Sequence, residues 1–485
     1  MTTRINILKR IALFVCPALL LLSSGCKKFL NVNQDPNNLA NAQPAQLLPA
    51  IEASIAVTIG DDYYPFGNIW AQYFTQSTVA SQYKTIDQYL QINTDFNYAW
   101  THLYQNALIN TQLMLASGSG NPTLVQYEAI GNVLKAYTLQ LATDAFGDVP
   151  MTEALQGSDN KNPSYDPQAN VYDTIFNLLD KGKALMDNSD PNNPGTADLV
   201  FQGDMDKWIA FANTVELRAY LRLTQVDPAR AEAGVKALYA SNATFLNTTA
   251  EITYSSTGGN QNPFYIKEVA LGKTVNLYAS KTIISAFVRN SDPRQFALFT
   301  PLKGADTITY IPQGSFNSFT NLVCSKPSPL VAGDPQNANS ALAPVFLISQ
   351  SESDFLQAEA IARGWGSGSA STLFTQGIQA SFAADGIPGS AAAYIAAAPD
   401  AQFPATPADQ LKAIITQKYY AMCGSQGFEA WTEWRRTGYP DFFVPSAANG
   451  GRTYPLRFLY PQTELTANLK YPGTVPETTP VWWDK

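Results

Sequence analysis

Acids and arginines occur in short clusters that could carry chemistry: Asp144, Asp148 and Glu153, then Glu352 and Glu359, then Glu433, Arg435 and Arg436. Paired carboxylates are what a glycosidase uses, one as acid and the other as base or nucleophile. A carboxylate beside an arginine has a plainer use, because the guanidinium fork grips it through two parallel hydrogen bonds and pins one element onto another. The second use is expected here, with Glu359 and Glu433 meeting arginines such as Arg294 or Arg435. Gly147 and Pro150 read as turn-makers at a helix end, not as a phosphate loop. The chain has a single histidine, His102, and four cysteines. That excludes a two-histidine metalloprotease motif and a zinc centre, and His102 reads as structural. No metal and no cofactor are expected. Cys324 and Cys423, the cysteines of the body, allow one disulfide but no disulfide framework.

Aromatic side chains form the other chemical class. Sugar recognition takes flat rings for the pyranose C–H face and amides or acids for the hydroxyls. The segment Asp61-Asp-Tyr-Tyr-Pro-Phe-Gly-Asn-Ile-Trp70, running on to Tyr83, supplies both, as do Asn260-Gln-Asn-Pro-Phe-Tyr265 and the stretch Tyr310 through Phe319. The candidate ligand residues are therefore Tyr63, Tyr64, Trp70, Tyr83, Phe264, Tyr265 and Tyr310, with core packing as the competing use of each.

These residues need a frame. With 485 residues, 45% hydrophobic, 12% aromatic and only 14% charged, the chain can bury a large core and is not a disordered acidic protein. The net charge is −8, and Arg4, Lys9 and Arg10 stand before any acid, so the remainder is more acidic still. Nucleic acid is excluded as a partner, since phosphate binding rests on clustered Lys and Arg. The basic start, the apolar run Ile11–Leu22 and the small residues Ser23-Ser24-Gly25 make residues 1–25 a signal peptide. Cys26 follows, and Ser-Ser-Gly-Cys resembles a bacterial lipobox, whose cysteine is acylated. Residues 26–44 then read as an extended leader, and no later run is apolar for the ~18 residues a membrane span needs.

Periodicity sets the body at 45–485. Apolar residues three and four apart mark helices at Tyr98–Leu115, Leu124–Leu141, Val171–Leu185 and Trp208–Leu223, the last stopped by Asp227-Pro228. Helices resume at Pro344–Arg363, Thr372–Ala384 and Ala408–Cys423. The body is thus helical over 45–240 and 344–440. Residues 241–343 read as loops and short strands apart from Thr282–Val288, Ser390–Ala398 as a solvent-facing connection, and 441–485 as a tail wrapping the surface.

Several segments together resemble the SusD/RagB family of nutrient-binding surface lipoproteins. They are Phe29-Leu-Asn-Val-Asn-Gln-Asp-Pro-Asn38; Asp144-Ala-Phe-Gly-Asp-Val-Pro150; Asn290-Ser-Asp-Pro-Arg294; Phe355-Leu-Gln-Ala-Glu-Ala360; and Phe428-Glu-Ala-Trp-Thr-Glu-Trp-Arg-Arg436-Thr-Gly-Tyr-Pro440, with Arg457, Tyr460-Pro461, Glu464 and Asn468 behind. The resemblance implies a mainly α fold, in which tetratricopeptide-like helix pairs pack against an irregular loop-rich half with a few short strands. It also implies a lipid-anchored, non-enzymatic protein on the outer face of the outer membrane. Such a protein captures an oligosaccharide or peptide and delivers it to a SusC-like TonB-dependent barrel. The rival reading is a surface glycoside hydrolase of helical fold.

Overall fold

The computed structural model describes residues 42–484; the signal peptide, Cys26 and most of the leader lie outside the described residues. The longer helices are α1 Pro44–Val57, α2 Tyr64–Trp70, α3 Ile109–Gly118, α4 Val125–Phe146, α5 Gln168–Leu185, α6 Met205–Arg222 and α7 Pro228–Ala240. After them come α8 Pro263–Ala270, α9 Lys281–Arg289, α10 Gln350–Ala362, α11 Ala370–Ala384, α12 Ala391–Ala397, α13 Pro407–Ala421 and α14 Gly427–Thr437. Their starts are written in the sequence. Asp204, Asp227, Asn262, Ser280, Ser349, Ser369 and Thr406 each accept a first-turn N–H through the side chain, and Pro stands at the start of α7, α8 and α13.

Neighbouring helices bury one another's stripes: α4 packs on α5, α5 on α6, α6 on α7, and α10 on both α11 and α13. Such helix pairs are the tetratricopeptide-like half, and helix makes up 54% of the protein, well above the roughly one-third of an average domain. The strands are short and pair two by two, all antiparallel: β1 Phe74–Gln76 with β5 Leu277–Ala279, β2 Val149–Pro150 with β3 Tyr165–Asp166, β4 Ala250–Ile252 with β8 Val345–Ile348, and β6 Phe299–Thr300 with β7 Lys326–Pro327. Among the described residues no helix is long and apolar enough to cross a membrane.

Several boundaries differ from the sequence reading. Pro344–Arg363 is not one helix: Val345–Ile348 pairs with β4, and Ser349 caps the helix that follows. A short apolar run fits a strand or a helix equally well, and only its partner decides. Ser390–Ala398 is not an exposed connection but contains α12, whose Ala391 and Tyr394 are buried; alanine's high helix propensity was the available signal. Besides its loops and the expected α9, the section 241–343 holds α8 and the five-residue helix Arg294–Leu298. The tail does more than wrap, because Phe458 and Trp483 are fully buried. Phe458 N–H donates to the Ala145 carbonyl at 2.8 Å, and Trp483 Nε1 to Asp144 Oδ1 at 2.8 Å. Cys324 and Cys423 are buried free thiols, not a disulfide.

Candidate functional site

The structure corrects the expected stacking platform. Tyr63 and Trp70 are fully buried, and Tyr64, Tyr83, Phe264 and Tyr265 nearly so. A ring with no solvent-facing surface cannot receive a sugar. Trp70 sits against Trp431, Phe66 and Phe458 at centroid distances of 4.9, 5.4 and 5.6 Å, and its Nε1 donates to the Ile86 carbonyl at 3.1 Å. Tyr63 packs on Phe428 at 4.4 Å, and Tyr64 on Phe264 at 4.2 Å. Phe264 and Tyr265 lie in the first turn of α8, capped by Asn262, where the sequence suggested a loop. Tyr83 is a strut: its hydroxyl donates to Glu268 Oε1 at 2.6 Å, and Asn276 Nδ2 donates to Glu268 Oε2 at 2.9 Å. Of the candidate rings only Tyr310, 38% exposed, reaches solvent.

The acids and arginines are structural, with different pairings from those expected. Arg436 grips Glu359 at 2.8 and 2.7 Å and also donates to Glu433. Arg222 donates to Glu429 at 2.6 and 2.7 Å, pairs with Glu433 and lies 3.4 Å from Asp144. Arg435 instead ties the Asp144 and Leu456 carbonyls, each at 2.9 Å, while Arg294 grips Asp292 within its own segment. Burial pushes the Glu433 carboxyl up, but the surrounding Arg436, Lys418 and Arg222 cations outweigh it and hold it well below the usual carboxylate range. This buried knot locks α4, α6, α10, α13 and α14 together. Asp148 accepts the Gln168 N–H at 2.8 Å, and Glu153 accepts from Ser164 N–H at 2.9 Å and Lys470 at 2.7 Å. Gly147 (φ +81°) turns the chain off α4 with the Arg457 guanidinium about where a Cβ would point, at 3.2 Å. His102 Nδ1 lies 2.6 Å from Asp62 Oδ2, and that contact raises its pKa against the opposing effect of burial.

The exposed end of the Tyr310–Phe319 stretch forms a loop face that runs beyond it to Val323. Residues 317–323, Asn-Ser-Phe-Thr-Asn-Leu-Val, are all exposed, as are Val79, Ser81 and Gln82. The two loops touch: Thr78 Oγ1 donates to the Leu322 carbonyl at 2.6 Å, and the Lys84 ammonium lies 5.4 Å over the Phe316 ring. Tyr310 joins them, since Ser325 N–H donates to the Thr309 carbonyl at 3.1 Å. Beneath lies Asp87, fully buried, which accepts from Thr75 Oγ1 at 2.7 Å, Gln76 N–H at 2.7 Å and Gln313 Nε2 at 2.6 Å. Burial pushes the Asp87 carboxyl up to about 6 against these donors. Gly314 (φ +72°) donates its N–H to Thr75 Oγ1 at 3.0 Å and leaves no room for a Cβ, which would run into Ser446 Oγ. A rigid polar hub thus presents two rings, Tyr310 and the 37% exposed Phe319, among hydroxyl and amide side chains. That composition suits a neutral polyhydroxylated ligand. The sequence singles out the part up to Phe319, while 320–323 carries no signal beyond Leu322 and Val323 following Thr and Asn. Among the described residues no group of His, Cys, Asp and Glu gathers to hold a metal ion.

A family model described as "SusD-like_2: Starch-binding associating with outer membrane" matches residues 36–461. A comparison with curated proteins found no match. Among solved structures, a chitin-binding protein is 25% identical, with a TM-score of 0.76 over 91% of this chain and 100% of that one. A chitin-binding SusD homologue of Flavobacterium johnsoniae is 23% identical, with a TM-score of 0.73 over 90% and 98%. A SusD homologue of Bacteroides vulgatus is 22% identical, with a TM-score of 0.72 over 88% and 93%.

Proposed function

Because the chain belongs to the SusD-like family of starch-binding proteins that associate with the outer membrane, we propose that it captures neutral glycan at the loop face and hands it to a TonB-dependent outer-membrane barrel. The observation that carries this reading is the family match over residues 36–461. The loop face supports it: exposed rings among amides and hydroxyls, on a fixed polar hub. Glycan is favoured over peptide because two structural relatives are described as chitin-binding, which makes a chitin oligosaccharide the first probe. The acids support binding without cleavage, since Glu352, Glu359, Glu429 and Glu433 are buried against cations rather than facing an open cleft. Attachment through acylated Cys26, on the exterior side of the outer membrane, completes the reading.

The test is calorimetry of the protein with chitohexaose and maltoheptaose, alongside an assay for new reducing ends. Tyr310→Ala combined with Phe319→Ala should weaken the bound sugar at least tenfold, the loss of about 1.4 kcal/mol or more expected of a ring at a binding centre. Release of reducing ends, or binding indifferent to both rings, would overturn it.

A further inference from the structure

A groove of about 550 Å³ opens between α10 and α11, on the helical half and outside the loop face. Its polar lining is Asn247, Gln350, Asp354, Gln357, Gln376 and Gln379, and no lysine or arginine contributes. The spacing explains the array. Gln350, Asp354 and Gln357 lie four and three residues apart on α10, while Gln376 and Gln379 lie three apart on α11, so each set shares a helix face. Phe245 and Leu373 add an apolar wall. Over the α11 ridge a second groove of about 530 Å³ shares Gln376 and Gln379 and adds Thr375, Gln402 and Phe403.

Exposed glutamines on helices are ordinary solvated surface. Asp354 is not. Only 6% exposed, it carries a buried Oδ2 with no hydrogen-bond partner, and burial alone pushes its carboxyl up to about 7. A buried acceptor left without a donor is costly, and the fold draws no contact from this one. What it lacks is a donor arriving from the groove.

We infer that this groove is a second carbohydrate site, taking a neutral sugar chain whose hydroxyls donate to Asp354 and exchange hydrogen bonds with the surrounding carboxamides. Each amide offers both a donor and an acceptor, which matches hydroxyls of either orientation. The absence of cations from the lining disfavours anionic ligands. With the second groove across the α11 ridge, the surface continues over both sides of α11.

The test follows backbone hydrogen exchange of the full chain with chitohexaose, maltoheptaose and cellohexaose, reading residues 350–384 and 305–323 separately. At least one probe should slow exchange over 350–384. That protection should persist in Tyr310→Ala, and should need at least tenfold more sugar in Gln376→Ala combined with Gln379→Ala. Asp354→Ala should lose protection likewise yet melt no lower than the parent, the opposite of what a structural role demands. Protection at 305–323 alone, or protection at 350–384 that survives these substitutions, would overturn the second site and leave the loop-face reading standing. Protection at 350–384 alone would sustain the groove and overturn the loop face.

Discussion

Trp70→Ala separates a core ring from a ligand platform in one variant. The Trp70 side chain is fully enclosed, so the substitution removes an indole from contact with Trp431, Phe66 and Phe458 and strips the Ile86 carbonyl of one donor, leaving it the Tyr89 N–H at 3.1 Å. A buried tryptophan covers ~150–250 Å², worth ~4–6 kcal/mol at ~25 cal/mol per Å², of which alanine keeps a part. Losing that one buried hydrogen bond adds ~1 kcal/mol. The net expectation is ~5 kcal/mol, at the upper end of measured aromatic-to-alanine losses of ~3–5 kcal/mol. With an unfolding entropy of ~2.1 cal/mol/K per residue over roughly 440 residues, that corresponds to a Tm lower by ~5 °C. Differential scanning calorimetry reads the stability, and titration with chitohexaose below the transition reads the affinity per folded molecule. Affinity should be unchanged. A tenfold loss of affinity with Tm unmoved would refute the burial argument and return Trp70 to the ligand site.

The buried charge knot predicts that Arg222→Met costs ~3–5 kcal/mol at pH 7.5 in urea unfolding, because Glu429, Glu433 and Asp144 lose a shared cation; the cost should shrink toward pH 5 as the orphaned acids protonate. A cost under ~1 kcal/mol at pH 7.5 would show that Lys418 and Arg436 suffice. Asp385 behaves oppositely: burial lifts its carboxyl to about 7 and leaves its Oδ2 without a partner, so its contribution is full below the unfolded pKa of ~3.9 and is lost as pH rises through about 7. Asp385→Asn should therefore stabilise the fold by ~1–2 kcal/mol at pH 8 and by nearly nothing at pH 4, and parallel stability profiles over that range would contradict the assignment. Cys26→Ala should move the protein from the membrane fraction to the soluble one; unchanged partition would end the lipid-anchor reading.

The helices were legible because their signals are local. The stripes Leu124–Leu141 and Val171–Leu185 fall within α4 and α5 to a residue or so, and the cap at Asp227 with Pro228 divides α6 from α7 as the sequence suggests. The strands were not, since β8 is defined by pairing with β4 nearly a hundred residues earlier. The ligand rings failed for a related reason. Tyr63, Tyr64 and Trp70 stand in a segment broken by Asp and Gly, which looks like loop, yet their hydroxyl and indole groups reach the distant carbonyls of Leu141, Val331 and Ile86 and so can be buried without penalty. Tyrosine and tryptophan carry a polar handle that serves equally well in a core or at a surface. Composition cannot tell which.

The same ambiguity explains why the acids admit a catalytic reading beside the structural one that the sequence favours. A carboxylate pair three or four residues from arginines is the same pattern whether it faces a cleft or a core, and only burial distinguishes the two. Here Glu359 and Glu433 share Arg436, so the guanidinium joins α10 to α14 with both ends of its fork occupied. Buried ion pairs are poor sources of net stability, because desolvation offsets most of the attraction, but they are intolerant of misregistration: one turn of slip on α14 would leave Glu433 and Arg436 without partners at a cost of several kcal/mol. The knot therefore acts chiefly on geometry. It fixes how α14 sits against α2, which leads into β1 and the Asp87 hub under the loop face. In the function proposed above, recognition falls to Phe319 and Tyr310 on loops outside this knot, so the ring positions could change without disturbing the frame that holds them.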